Sequence, residues 1–509
     1  MEHNTQQDKT TRRSHSIITN ALFPAIMFLA ACGGGDDGGP PPNSPTSTPM
    51  ALVVNQDDTT LTTLRLDGNG SPVINTLSLG PTQPDAIGGV TFSLGEWIFV
   101  TNSETNKVAT IDPIGAPKPI LEDFLEQNGI FKIGQRPKRI YRDPVDKEVL
   151  WTMNEGDPVT GIDTVANCLV GSSVSVLHNS HILAGGVKPH IKKTACLSGT
   201  GEHFIAFSRA TAVAPSLREI AFISSKTTGL ISVLLADAAD GVLRWNEVLR
   251  LDLCDSAKET CDASPFTPNA SAPAGMFWSN ATGKIYSYLS GYGNVVEVDP
   301  VSFTITRTVD ITPPGNTEYQ SVGMTPDGRF LWLVGEDIIS DPTKVIGKFA
   351  LVDLTQPVLV LTTLPVVGLD NIRPAHFQFT PDGQRLYATQ SNSTVGLPFA
   401  AQAHALKQDR LLAFETSALP VAPTLLAETG LPTATMHGMD LWITGPQGAG
   451  SAKGIVITNA TSGVSGSVSL IDASTHTVTA TIPVGRNPKQ VTVYYYGLTA
   501  SDNQATPTW

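Results

Sequence analysis

The sequence predicts an all-β fold, a propeller of four-stranded blades, and three observations predict it. From Ala51 onward, short apolar runs recur between Asp-Gly, Asn-Gly, Pro and Thr, with no long amphipathic helical stretch. A unit of roughly fifty residues repeats, the spacing of a four-stranded propeller blade. The two ends of the chain carry complementary parts of one further unit. Composition agrees: 45 glycines and 37 prolines supply turns, and only 16% of residues are charged.

The first half of the unit reads RPKRIYRDPVDKEVLWTMN (136–154), APAGMFWSNATGKIYSYLS (272–290), EYQSVGMTPDGRFLWLVGE (318–336) and RPAHFQFTPDGQRLYATQ (373–390). Each version starts near a proline or small polar residue and runs through an alternating strand into a turn such as Thr380-Pro381-Asp382-Gly383. There proline pre-sets φ and glycine accepts a positive one. The next strand carries a large aromatic, Phe99, Trp151, Tyr286, Trp332 or Tyr387, expected in the sheet core.

Two further strands complete the unit, in FVTNSETNKVATIDP (99–113) and VITNATSGVSGSVSLIDASTHTVTATIPVGRNP (456–488). These stretches resemble the YVTN-repeat β-propeller family, whose unit runs YVTN, a gap, VSVID, TVxxTIxVG and a proline. The resemblance spans about residues 51–497, close in those two segments and loose elsewhere. It implies the fold and leaves the activity open, since such propellers serve many purposes.

PKQVTVYYYG (488–497) reads as an inner strand, and residues 51–80 read as three outer strands without one. Joined, they form a blade shared between the N- and C-termini, closing the ring and removing free edges. The count is eight blades, with seven as the alternative. The ambiguity lies in 155–270, where blade spacing stretches and an insertion around Cys254–Cys261 is expected.

Ahead of the propeller, Lys9, Arg12 and Arg13 precede the apolar run Ile17–Cys32, too short for the roughly twenty residues of a membrane span. The run ends in Leu29-Ala30-Ala31-Cys32, similar to the lipobox of bacterial lipoproteins. That resemblance implies a signal peptide over 1–31, lipid on Cys32 and a membrane contact made through that lipid. Gly33 after the cysteine implies the outer membrane. Residues 32–50 are the lipidated cysteine and a Gly/Pro-rich spacer, and 498–509 a C-terminal tail.

Net charge is −13, and −14 once 1–31 is removed, because that segment holds Lys9, Arg12 and Arg13 against Glu2 and Asp8. An acidic chain without a basic run is unsuited to nucleic acid. The expected partner is a protein or a small molecule, bound by a monomer. Four cysteines follow Cys32. Their even number in an exported chain favours disulfides, Cys254 with Cys261 and so Cys168 with Cys196. No cofactor motif is present: CxxCH is absent, and the spacing suits no zinc site.

The start of each blade's inner strand borders the central channel. In that slot the sequence places Arg139, His190, His376, His437 and Gln490, with Ala86 and Gly275 in two other blades and Asp85 and Glu318 near the same rim. Histidines converging on a channel suit ligand binding, proton transfer or metal ligation. No G-x-S-x-G elbow is present. The expectation is a binding or protein-interaction scaffold without catalytic residues. The alternatives are a lactonase- or lyase-like enzyme using the channel histidines, and an accessory subunit of a periplasmic dehydrogenase.

Overall fold

A computed structural model describes residues 48–68, 73–79, 87–92, 98–112, 120–122, 133–144, 149–156, 171–178, 190–209, 217–237, 246–262, 267–311, 317–337, 345–392, 406–443 and 452–496. The expected signal peptide, Cys32, Asp85, Ala86 and the tail lie outside these residues. Among the described residues there is no helix, and the strands form eight four-stranded antiparallel sheets, the eight blades of a propeller.

Blade 1 joins the two ends of the chain. Thr48–Asn55 lies between Thr60–Arg65 and the C-terminal strand Pro488–Tyr496, with Val73–Ser78 outermost. The register runs from Thr48 opposite Tyr496 to Asn55 opposite Pro488. The first strand thus starts three residues inside the segment expected as spacer. Blades 2 to 8 follow in chain order over 87–122, 137–196, 203–252, 273–310, 317–364, 374–430 and 439–486. Closure is also fastened by side chains. Asp57 accepts from the Asn487 side chain at 2.8 Å and from the Gly463 amide at 2.6 Å, and Asp58 receives the Arg486 Nε at 2.6 Å.

The second strands bury the repeat aromatics: Phe99, Trp151, Tyr286, Trp332 and Tyr387 are sealed from solvent, as is Phe222 in blade 4. The asparagine closing these strands acts as a cross-strand clamp. Asn55, Asn154 and Asn459 each donate to two hydroxyls two residues apart on the third strand: Thr60 and Thr62, Ser173 and Ser175, Ser467 and Ser469, at 2.8–3.1 Å. The VTN and SVS segments recur together because the first needs the hydroxyls of the second.

The irregular stretch before Pro273 resolves into blade 4 and an insertion. Cys254 and Cys261 form the expected disulfide between the outer strand of blade 4 and the inner strand of blade 5. Cys196 is disulfide-bonded, and Cys168, its expected partner, lies outside the described residues.

Candidate functional site: the channel mouth

The inner strands start side by side at one face. A Cβ on Gly88 would fall 2.3 Å from the Lys138 carbonyl oxygen, and one on Gly438 would fall 2.3 Å from that of Lys489. Only glycine lets these neighbouring strands approach so closely. In blades 1, 2, 3, 5, 6 and 7 a register shift interrupts the ladder near this end. Such bulges re-aim side chains out of the sheet, here toward the rim of the channel.

Arg139, in blade 3, donates through Nη2 to Glu202 of blade 4, and its guanidinium lies 4.2 Å over the Phe204 ring. Lys226 donates to the other Glu202 oxygen at 3.1 Å. Burial opposes ionisation of Glu202, but Arg139 and Lys226 outweigh it and hold the carboxyl below its ordinary range. Beside them Arg136 pairs with Glu155 at 3.8 Å. Burial pushes Glu155 up despite Lys138 and Arg136 nearby. Among the described residues this sector therefore gathers Arg136, Lys138, Arg139 and Lys226 around two carboxylates.

His376, in the bulge of blade 7, makes no hydrogen bond among the described residues. Protein packs around its ring, yet solvent still reaches it, which places it against the channel. Burial and the neighbouring His437 hold it below the usual imidazole range. Gln490 donates across to the Gly88 carbonyl at 3.5 Å, joining blade 1 to blade 2.

His437 does not face the channel. It is buried, with Nε2 at 3.0 Å from Asp409 of blade 7 and Nδ1 at 3.2 Å from the Thr458 carbonyl and 3.1 Å from Asn459 Oδ1. Burial raises the Asp409 pKa, but His437 and the Asn392 and Ala434 amides outweigh it, and the carboxyl lies below its ordinary range. His437 joins two blades. The placement expected for His190 is corrected: it opens the outermost strand of blade 3, His190–Cys196, away from the inner ring. Its Pro-His sequence marks a strand start but does not tell an inner start from an outer one. Glu318 lies in the inner strand of blade 6, Thr317–Met324.

Sequence reasoning missed His203, the first residue of blade 4's inner strand, because no proline precedes it. Its Nδ1 lies 3.0 Å from the Ser224 carbonyl and 3.1 Å from Ser225 Oγ, the positions of Thr458 and Asn459 in blade 8. Its buried Nε2 has no partner among the described residues, and burial pushes the ring down to about 4. Among the described residues no cluster of three or more His, Cys, Asp or Glu is arranged for a metal ion.

No known protein family and no curated protein matches the chain in sequence. Solved structures match in fold. The dihydro-heme d1 dehydrogenase NirN is 12% identical, covering 86% of this chain and 73% of its own, with a TM-score of 0.50. The Pseudomonas aeruginosa periplasmic gluconolactonase PpgL is 15% identical over 76% of this chain and 98% of its own, at 0.45. A proposed 6-phosphogluconolactonase from Bacteroides uniformis is 13% identical over 88% and 99%, at 0.45. At such identities the likeness concerns the fold alone: this chain is an eight-bladed β-propeller whose structural neighbours include proteins of the lactonase type.

Proposed function

We propose that this chain is an extracytoplasmic propeller, held to the outer membrane by lipid on Cys32, that binds a small acidic ligand at its channel mouth. The observation that carries the reading is local charge. In a chain of net charge −13, the described residues of the sector formed by blades 3 and 4 set Arg136, Lys138, Arg139 and Lys226 against Glu155 and Glu202. A carboxylate or phosphate there is favoured by two surplus cations and by the bidentate geometry of arginine. The YVTN-like repeats fit this use, since a rigid ring fixes the strand starts while connecting loops vary.

Calorimetric titration with sugar acids, polycarboxylates and inorganic phosphate tests the reading. Saturable binding that weakens at least tenfold in Lys138→Ala and Arg136→Ala is expected. Binding by no member of the panel, or binding indifferent to both substitutions, refutes it.

A second reading rests on His376, an imidazole without a hydrogen-bond partner among the described residues, held below its usual range at the same mouth. Such a ring suits a general base, and a lactone opened there releases a hydroxy acid for the cationic sector. Hydrolysis of δ-gluconolactone above the spontaneous rate, lost in His376→Gln, is expected on that reading; no acceleration removes it.

A further inference from the structure

The face opposite the mouth carries an unused feature. Six valines in the described residues are more than half exposed, and four of them sit on turns joining third to fourth strands in three consecutive blades: Val301 (53%) in blade 5, Val358 (69%) and Val360 (60%) in blade 6, and Val421 (65%) in blade 7. Arg307, on the outer strand of blade 5, donates to the Gln356 and Leu354 carbonyls of blade 6, fixing two of these turns beside each other. Buried Leu359 anchors the blade 6 turn, and half-buried Leu419 packs the blade 7 turn against the core.

Three ion pairs flank these valines within their own blades, and exposed Asp327 and Asp382 add carboxylates on the first turns of blades 6 and 7. Lys284 bonds Asp299, Arg329 lies 2.9 Å from Asp353, and Arg385 lies 3.5 Å from Glu415. The equivalent turn of blade 8, Asp472 to Thr477, carries Ser474 and Thr475 instead of valine. Among the described residues the exposed valines of this face thus cluster on neighbouring turns, which scattered surface hydrophobics do not.

The chain path says what covers this sector. Thr48 pairs with Tyr496 at the end of the inner strand, so the chain enters the propeller at the same face as these turns. Fifteen residues separate Thr48 from Cys32, which at full extension keeps this face within about 55 Å of a lipid on that cysteine. Tethering converts docking into a local event at high effective concentration, where a few apolar side chains suffice.

We propose that the turns of blades 5 to 7 bearing Val301, Val358, Val360 and Val421 rest on the lipid bilayer, turning the channel mouth away from it. This rests on the lipid tether of the preceding reading. A face with exposed valines, ion pairs and the carboxylates of Asp327 and Asp382 fits a zwitterionic surface better than a strongly anionic one, which the acidic chain repels.

The test is hydrogen exchange of the full acylated chain on phosphatidylcholine–phosphatidylethanolamine vesicles, against the same chain in detergent. Vesicles are expected to slow exchange at least fivefold at 354–360 and 416–423 and to leave the mouth-side segments holding Val367 and Val464 unchanged. Val360→Ser and Val421→Ser are each expected to weaken that protection about fivefold. Equal exchange on vesicles and in detergent overturns the docking face. So does slowing at the mouth, or slowing that grows with protein concentration in detergent, which marks self-association instead. The intact mass reports acylation separately. A chain without acyl groups refutes the tether, and docking is then judged by the same protection with vesicles added in excess.

Discussion

His437 and His203 occupy the same position four blades apart, on opposite sides of the ring. Each sits at the start of an inner strand and points Nδ1 at a second-strand carbonyl, Thr458 in one blade and Ser224 in the other. Their Nε2 atoms differ. His437 meets Asp409, supplied by the preceding blade, whereas the Nε2 of His203 is buried without a partner among the described residues. The register explains the difference. Asp409 precedes Arg410, which pairs with Gln390, and Ser172 precedes Ser173, which pairs with Asn154. Ser172 takes Asp409's place in blade 3, but it donates to the Glu155 carbonyl at 2.7 Å. One fold position thus yields a blade-to-blade connection or a sealed neutral imidazole, according to one residue in the neighbouring blade.

The largest effect is expected of Asp409→Ala. It strands His437 Nε2 and the Asn392 and Ala434 amides, buried donors, and a loss of about 3–5 kcal/mol in urea unfolding is expected. A loss below 1 kcal/mol shows that the connection is dispensable.

The next effect is a pH dependence. His203 titrates near 4 when folded and near 6.5 when unfolded, so between these values the unfolded chain binds more protons. Stability falls as pH drops from about 6.5 to 4, by about 3 kcal/mol at most. His203→Asn is expected to flatten that window. Asp409 acts in a different window: its lowered pKa stabilises above about 4, and that contribution is lost only as pH falls through the folded value.

A smaller loss, about 1–2 kcal/mol, is expected of Asp57→Ala on the other side of blade 8, which strands the Asn487 amide and the Gly463 N–H. It compares ring closure with the Asp409 connection in the same assay. The smallest change is expected when blade 3 is given the aspartate of blade 7. Ser172→Asp is expected to raise the His203 titration above 4 in imidazole NMR, with a net stability change of about 1 kcal/mol. An unmoved titration shows that register equivalence does not bring the two side chains together.

What the sequence disclosed follows the same division. Blades 5 to 8 and the shared blade were legible because proline starts, Pro-Asp-Gly turns, second-strand aromatics and VTN-type endings recur there in phase. Blade 4 was not, since His203 opens its inner strand without a proline and its aromatic, Phe222, lies in the stretched region. His190 was misassigned because Pro189 imitates an inner start. Of the candidate site, Arg139 and His376 were found from position alone. Glu202, Lys226 and Asp409 were not: Glu202 precedes an inner strand that no proline marks, Lys226 lies on a turn between second and third strands, and Asp409 precedes the third strand of the blade beside His437.

The claim that the mouth is the binding site is tested most directly by following the His376 and His203 imidazole resonances while sugar acids, polycarboxylates and phosphate are added. Both rings belong to the same circle of strand starts, one open to the channel and one sealed. His376 is expected to shift saturably with at least one of these acids, His203 to stay in place, and Lys138→Ala to abolish the shift at the same concentration. Two unmoved rings, or a His376 response that survives Lys138→Ala and Arg136→Ala together, would contradict it.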